Sequence, residues 1–398
     1  MIGILFWLCV VGIFYVYAGY PLILILLASL RPRPNAYEPY LPRVTLLITA
    51  YNEQEVIAAK LENSLALDYP PERLQILVAA DGCNDRTVEI VRSFAPRRVE
   101  LSYDPARRGK MAAINRAMPL VRHEILVFSD ANNFYEASTL WELVKPFSDP
   151  VVGAVAGSKR IVKEDSVLGE ADSLYWRYES FIKKQETRLG SCTGVSGEVF
   201  AIRRGLFESP PDTVINDDFF LALSIIRKGF RLIYAPGACS RETVSLDERD
   251  EIVRRTRIIA GRYQIMGMSI GRLPYRQPLI VWQIFSHKFL RPLVPFAMIG
   301  ALLASFISII WVHPLGSYPL LYLSPPYHWL VFILQLLFYL LAWLGRRIAI
   351  KGFLGKLLYL PTFLVNSNYA ALLGLLDYLT GKSTVIWKKA PRRGYNSD

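Results

Sequence analysis

The chain is 398 residues long, 52% apolar and 20% charged, with a formal net charge of +12 and a mean hydropathy of +0.26. That is too greasy for an ordinary soluble enzyme, too charged for a pure membrane bundle, and longer than one compact core usually takes. The basic excess falls in clusters such as Arg107/Arg108/Lys110 and Arg254/Arg255/Arg257, several of them bordering apolar segments; this suits attraction to a membrane surface and, with no binding module in view, excludes nucleic acid as the expected partner.

Residues 1–30 hold no Asp, Glu, Lys or Arg, and about 20 apolar residues suffice to span a bilayer. With no basic start and no cleavage site, the run reads as a retained anchor rather than a signal peptide. Arg31 and Arg33 follow at once, which by the positive-inside rule puts the next domain in the cytoplasm. Cys9, Cys83, Cys192 and Cys239 show no Cys-x-x-Cys spacing and suit a reducing compartment rather than zinc or a disulfide framework.

Past the anchor, short apolar runs alternate with amphipathic stretches. Val44–Thr49, Leu74–Ala80, Glu124–Ser129 and Val151–Ala156 read as strands, and segments near 53–66, 85–94, 109–118 and 137–145 as helices. Strands apolar on both faces and separated by helical lengths imply an α/β domain with a Rossmann-like, mainly parallel sheet. Ligands of such sheets sit at the carboxyl ends of the strands. Those ends run into Ala50-Tyr51-Asn52-Glu53, Asp81-Gly82-Cys83-Asn84-Asp85 and Asp130-Ala131-Asn132-Asn133. Asp and Asn also cap helices and close turns, which is the reading for Asp85; three acidic strand ends at one edge point to a site.

Toward the C-terminus, Pro292–Val312 and Trp329–Gly345 are uncharged and long enough to cross a bilayer, and Arg346, Arg347 and Lys351 mark the return to the cytoplasm. A last apolar stretch, Leu357–Leu376, is broken by Pro361, Asn366, Ser367 and Asn368. If it spans, the basic tail Lys388–Arg393 lies outside, against the charge rule; if it is re-entrant or packed beside the bundle, the tail stays inside. The chain thus divides into an anchor (1–30), a cytosolic domain closing in interfacial helices (31–275), a membrane region (276–381) and a basic tail (382–398).

The ordered set VTLLITAYNEQEVI, LVAADGCNDRT, GKMAAIN, FSDAN, SGEVFAIRRGLF and NDDFFLALSIIRKGFRLIYAP resembles the family 2 inverting glycosyltransferases of the GT-A fold over roughly residues 43–262. With its flanking membrane segments the chain is similar to bacterial polysaccharide synthases of the poly-N-acetylglucosamine, chitin-oligosaccharide, hyaluronan and cellulose synthase kind. The resemblance implies a multi-pass protein of the bacterial cytoplasmic (inner) membrane. Its implied partners are a nucleotide-sugar donor of UDP type, a glycan or lipid-linked acceptor, membrane lipid and, in an export system, other subunits.

The same resemblance assigns roles. Ala50, Tyr51 and Glu53 line the base and ribose of the donor, and Asp81 takes a hydrogen bond from a uracil-type base. Where Thr49 stands, family members often have proline, a change expected to alter loop rigidity. The donor diphosphate needs Mg²⁺ or Mn²⁺, hard ions that favour oxygen ligands; Asp130 and Asn132 stand where the family has Asp-x-Asp, so one ligand lacks its charge. Lys110 assists in neutralising the phosphates, while Arg107 and Arg108 read equally as helpers or as a solvated loop. Asp218 is the expected base that deprotonates the acceptor hydroxyl, Asp217 supports its geometry, and an acidic helix N-terminus explains the pair as well. Arg257 matches the arginine of the family's Gln-x-x-Arg-Trp, with Arg254 for Gln and Ile258 for Trp. The missing Trp removes the stacking platform that processive synthesis uses. Tyr175, Trp176 and Tyr178 are set aside as core aromatics at helical spacing, and His287 as a structural or headgroup contact. Transfer of one sugar to a polyprenyl phosphate, or sensing of a nucleotide sugar without turnover, are the competing readings.

Overall fold

The computed structural model describes residues 2–34, 37–161, 167–242, 248–311, 318–347 and 353–382. The basic tail Lys388–Arg393, and with it the side of the membrane it occupies, lies outside the described residues.

Helix α1 (Ile2–Leu30) leads into strand β1 (Val44–Ala50), helix α2 (Ile57–Leu65), β2 (Leu74–Asp81), α3 (Thr87–Ser93), β3 (Val99–Asp104), α4 (Lys110–Ala117), β4 (Ile125–Asp130), β5 (Phe134–Tyr135), α5 (Thr139–Val144) and β6 (Val152–Ile161). The long helix α6 (Val167–Leu189), β7 (Phe200–Arg203), α7 (Asp217–Arg227), β8 (Arg231–Glu242) and α8 (Glu248–Ser269) complete the domain. One eight-stranded sheet runs in the order β3-β2-β1-β4-β7-β6-β8-β5. The β3-β2-β1-β4 half is parallel throughout, whereas β7 is antiparallel to both of its neighbours and β5 to β8, so the sheet is mixed.

The parallel half follows from its sequence. In β1, Val44, Leu46 and Ile48 face one core layer and Leu47 the other; in β2, Ile76 and Val78 oppose Leu77 and Ala79. Alternate side chains leave a strand on opposite faces, so a wholly apolar run is stable only with helices on both sides. Each Leu, Ile or Val fully buried this way contributes roughly 1.5–3 kcal/mol. Strands β3, β5, β7 and β8 were not foreseen. β8 is the longest of the eight, and Pro236-Gly237-Ala238 form a bulge against β6 that breaks its apolar run.

Among the described residues, three helices are long and apolar enough to cross a membrane: α1, α9 (Pro278–Ile310) and α10 (Tyr327–Arg347). The second begins fourteen residues before the expected Pro292, at Pro278. The stretch that argued against this, Ser286-His287-Lys288 and Arg291, turns inward. His287 Nδ1 lies 2.8 Å from Glu186 and Nε2 3.1 Å from Glu179, both on α6, while Arg291 also pairs with Glu179. Polar groups satisfied by protein do not stop a helix in a bilayer. His287 is therefore structural, as expected.

The doubtful last stretch is one helix, α11 (Phe353–Leu379), packed along α8 and α10 and outside the set that meets the length and apolarity of a crossing. Its interrupting polar residues have partners: Asn366 accepts from Arg346 (2.6 Å), Ser367 from Arg255 (3.0 Å), and Asn368 donates to Tyr17 (3.0 Å).

Candidate active site

A cavity of about 1700 Å³ opens at the carboxyl edge of β1, β2 and β4. Its walls bring together the residues given donor, metal or catalytic roles above: Ala50, Tyr51, Glu53, Asp81, Lys110, Asp130, Asn132, Asp217, Asp218 and Arg257. These positions span more than 200 residues of sequence, so the sheet edge and the helices above it, not local chain, assemble the set.

Asp81 closes β2 and is buried. Its carboxylate accepts backbone N–H groups from Arg108 (3.1 Å to one oxygen) and Gly109 (2.7 Å to the other). The loop from Asp104 to Gly109 is thereby tied to the end of β2. Gly82, at φ +59°, makes the approach feasible: a side-chain carbon there would lie 2.5 Å from Cβ of Arg107. Asp81 thus has a structural partner set of its own, while a carboxylate keeps further acceptor directions toward the cavity. The same loop lays the Arg107 guanidinium on the Tyr51 ring, 3.7 Å from its centroid; Arg108 is exposed and pairs with Asp104 (3.5 Å). Of the two arginines, only Arg107 lines the cavity.

Lys110 is the meeting point. Its ammonium lies 2.8 Å from Asp130 at the end of β4 and 3.8 Å from Asp217 at the start of α7. Burial alone would favour the neutral amine, but Asp130 and Asp217 outweigh it and hold the Lys110 pKa above the usual lysine range. Thr49, whose replacement of the family's proline was expected to affect loop rigidity more than chemistry, donates its hydroxyl to the same Asp130 oxygen at 3.0 Å. Proline could not make this contact to the carboxylate.

Asp218 sits one residue on. Burial, with the neighbouring Asp217 charge, raises its pKa from the ordinary carboxyl value to about 6. The value suits a group that accepts a proton near neutral pH. Space beside it is made by Gly197 of the SGEVF run, where a side-chain carbon would come within 3.2 Å of Cβ of Asp218. Asn216, just ahead of the pair, donates to the Ile258 carbonyl of α8 (2.8 Å). Gly261 lets that asparagine close on α8, and Gly374 lets α11 close on the Thr256 carbonyl from the other side. Arg257 is held in this clamp, facing Asp217, Asp130 and Asp218.

Four cavity residues were missed or set aside. Tyr175, Trp176 and Tyr178 line the wall despite their reading as core; helical spacing shows which face they share but not that α6 turns it to a cavity. Trp176 Nε1 is buried with no hydrogen-bond partner among the described residues. Glu198, half-buried and 3.4 Å from Lys159, was legible as the charged member of SGEVF, though nothing local gave it a task.

Asp130 and Asn132 offer a carboxylate and an amide oxygen, hard donors on one loop. Among the described residues no group of three or more His, Cys, Asp or Glu is placed to hold a metal ion. A chain supplying two oxygen ligands fits a hard divalent cation that takes the rest from substrate phosphates and water.

A family model described as "Glycosyltransferase like family 2" matches residues 42–259. A poly-beta-1,6-N-acetyl-D-glucosamine synthase of Staphylococcus aureus (strain COL) is 28% identical over 214 residues, 52% of each chain. A Bacillus subtilis protein named "Probable glycosyltransferase YdaM" is 26% identical over 265 residues, 63% of this chain and 62% of its own. The chain thus spans about half the length of the first relative and under two thirds of the second. Among solved structures, a mannosyltransferase from Pyrobaculum calidifontis in complex with GDP-Man and Mn²⁺ superposes with a TM-score of 0.68 over 96% of this chain and all of its own, at 23% identity; the likeness is one of fold.

Proposed function

The chain belongs to the glycosyltransferase like family 2, and on that premise we propose that it is an inverting, membrane-embedded hexosyltransferase. It moves a sugar from a nucleotide-sugar donor of UDP type to a glycan or lipid-linked acceptor, in the synthesis of a cell-surface or extracellular polysaccharide. The observation that carries this reading is the Lys110 ammonium held between Asp130 and Asp217. It sets the strand end that faces the donor diphosphate within a few ångströms of the acid pair that faces the acceptor.

In this reading Tyr51 and Glu53 flank the base and ribose, and Asp81 accepts from the base while keeping its loop in place. Lys110 and Arg257 bind the diphosphate and offset the charge that grows on it as the glycosidic bond breaks. A Mg²⁺ or Mn²⁺ ion held by Asp130 and Asn132 would supply further positive charge to the same oxygens; the Mn²⁺ bound by the Pyrobaculum mannosyltransferase supports this. Asp218 accepts the proton of the acceptor hydroxyl as that oxygen attacks the anomeric carbon from the face opposite the diphosphate. Asp217 pairs with Lys110 and supports the geometry of the Asp218 carboxyl.

We further place residues 1–30 as the anchor, 31–275 as the cytosolic catalytic domain, 276–381 as the membrane region and 382–398 as the tail, in a multi-pass protein of the bacterial inner membrane. Ile258, where a processive synthase has Trp, favours short additions over long polymer. The test is a screen of nucleotide sugars with Mg²⁺ or Mn²⁺ on the full chain in nanodiscs, with mass analysis of products. Release of nucleoside diphosphate coupled to an extended acceptor is the expected result. Donor binding without turnover across a broad acceptor panel would overturn the catalytic reading in favour of a sensor.

A further inference from the structure

Lys60 is a charged side chain inside an apolar layer. It lies on α2, the helix that follows Tyr51 and Glu53, and is fully buried on the same face as Ile57 and Leu61. Its ammonium donates to the Asn133 backbone carbonyl at 2.7 Å, lies 3.4 Å from the Asn133 amide oxygen and stands 4.4 Å from the centroid of the Tyr135 ring. Among the described residues no carboxylate forms an ion pair with it. Burial draws its pKa down to about 7, and the charge of Asp130 opposes that shift.

Asn133 is the buried back of a loop whose front, Asp130-Ala131-Asn132, lines the cavity. Ser129 donates to the Asn133 amide oxygen (3.0 Å), and the Asn133 amide donates to the Glu198 carbonyl (2.8 Å), which the Tyr135 hydroxyl also reaches (2.8 Å). Gly197, one residue earlier, is the position that packs on Asp218. The helix behind the donor strand end, the end of β4 and the SGEVF run therefore meet around one buried ammonium.

An ammonium taken out of water is costly unless an anion and hydrogen bonds offset the loss, and apolar residues of similar volume often replace buried charges without loss of stability. Methionine would fill the same space, so packing alone gives no reason for a lysine. The cavity side does give one. Asn132 offers an oxygen without charge, which leaves Asp130 as the one carboxylate of the loop front, and Lys110 already stands against it. A positive charge fixed behind this loop strengthens its attraction for an anionic diphosphate and weakens its attraction for a free cation. Because the charge is buried, salt screens it little.

Resting on the glycosyl-transfer reading above, we propose that Lys60 is a positioning residue of the donor site: its ammonium holds the Asp130–Asn133 loop from behind and biases it toward the donor diphosphate over an uncomplexed divalent cation. The loop is thereby built to take the diphosphate together with its cation, not the cation alone.

Two variants test this. Lys60→Met keeps the length of the side chain and removes its charge; Lys60→Gln removes the charge and keeps a hydrogen-bond donor for the Asn133 carbonyl. The full chain in nanodiscs of zwitterionic lipid is buffered below the Lys60 pKa of about 7. Melting temperature is read first, then affinity for UDP and for GDP with no divalent cation, then affinity for Mn²⁺ alone by electron paramagnetic resonance. Both variants should melt within a few degrees of the wild type, bind the better nucleotide about tenfold more weakly, and bind Mn²⁺ at least as tightly as the wild type. The opposite signs are the signature, since a collapsed loop weakens both ligands together. Equal nucleotide affinity in wild type and variants, or wild-type binding that requires Mn²⁺, overturns the role of Lys60 and leaves glycosyl transfer standing. Nucleotide and Mn²⁺ affinities that fall together, or loss of folding in both variants, make Lys60 a structural strut and overturn the proposal as well. A wild type that binds neither nucleotide, with or without Mn²⁺, overturns the donor-site reading of the cavity and this proposal with it.

Discussion

The two ends of the cavity are built on different principles. At the sheet edge, Asp81 and Asp130 follow directly on buried strands and are oriented by short polar contacts: backbone N–H groups on Asp81, Thr49 and Lys110 on Asp130. At the membrane end the wall is made of side chains from α1, α6, α8, α9 and α11, elements far apart in sequence. The first end is rigid because a strand terminus has little conformational freedom left. The second depends on how helices from distant parts of the chain pack. On the proposed function, the comparison teaches that donor handling at the sheet edge and acceptor choice at the helical end should be separable in this fold.

That separation can be broken by mutation. The largest expected effect is Asp218→Asn. General-base catalysis contributes typically 10²–10⁴-fold, so kcat for transfer should fall by about that factor while donor affinity, measured by nucleotide-sugar titration, holds. The pH profile carries the same assignment. A base must be ionised to accept a proton, so with Asp218 at about 6, wild-type transfer should fall as pH drops through 6, and the residual activity of the variant should lack that limb. A variant with an unchanged profile would remove Asp218 from the role.

Asp130→Asn comes next. It deletes the nearer of the two carboxylates that face Lys110 and the only carboxylate of the Asp-x-Asn pair, and should lower kcat/KM by roughly 10–10² with a raised requirement for added Mn²⁺. Acceptor KM should move far less; an equal rise in both would mean the two ends are coupled.

Of the two substrates, Asp81→Asn should affect the donor and spare the acceptor. A hydrogen bond to a charged group contributes about 1.5–3 kcal/mol, and every 1.4 kcal/mol is about tenfold in affinity. Donor binding should therefore weaken tenfold or more, and the melting temperature should drop as the loop at Arg108 and Gly109 loosens. The smallest effect is expected of Thr49→Val, which removes one neutral donor worth about 1 kcal/mol. A several-fold loss in donor kcat/KM, with stability nearly unchanged, would sharpen the view that Thr49 orients Asp130; no loss would return it to a role in loop stiffness.

Much of the donor end was legible before any coordinates. A run such as VTLLITA can be stable only as a strand covered on both faces, and the residue after such a strand must emerge at the ligand-bearing edge. Ala50, Tyr51, Asp81, Asp130 and Asn132 follow from that alone. Asp217, Asp218 and Arg257 required the ordered resemblance, because nothing local distinguishes an acidic helix start or an arginine on an amphipathic helix from surface. The antiparallel strands β5 and β7 escaped notice because short strands leave little periodicity. α9 was begun too late because charged residues inside a span look like its end unless their partners are visible.

By itself, then, the amino-acid order determined the alternating α/β plan, the flanking apolar segments long enough to cross a membrane and the acids at the strand ends, since these depend on burial and on side-chain period, which are properties of short segments. Tertiary structure alone decided that Lys110 joins Asp130 to Asp217, that Thr49 reaches Asp130, that Trp176 faces a cavity rather than a core, and that Lys60 reaches Asn133. Each of these is a contact between segments tens to hundreds of residues apart, and a one-dimensional pattern holds no information about which faces of distant helices are brought together.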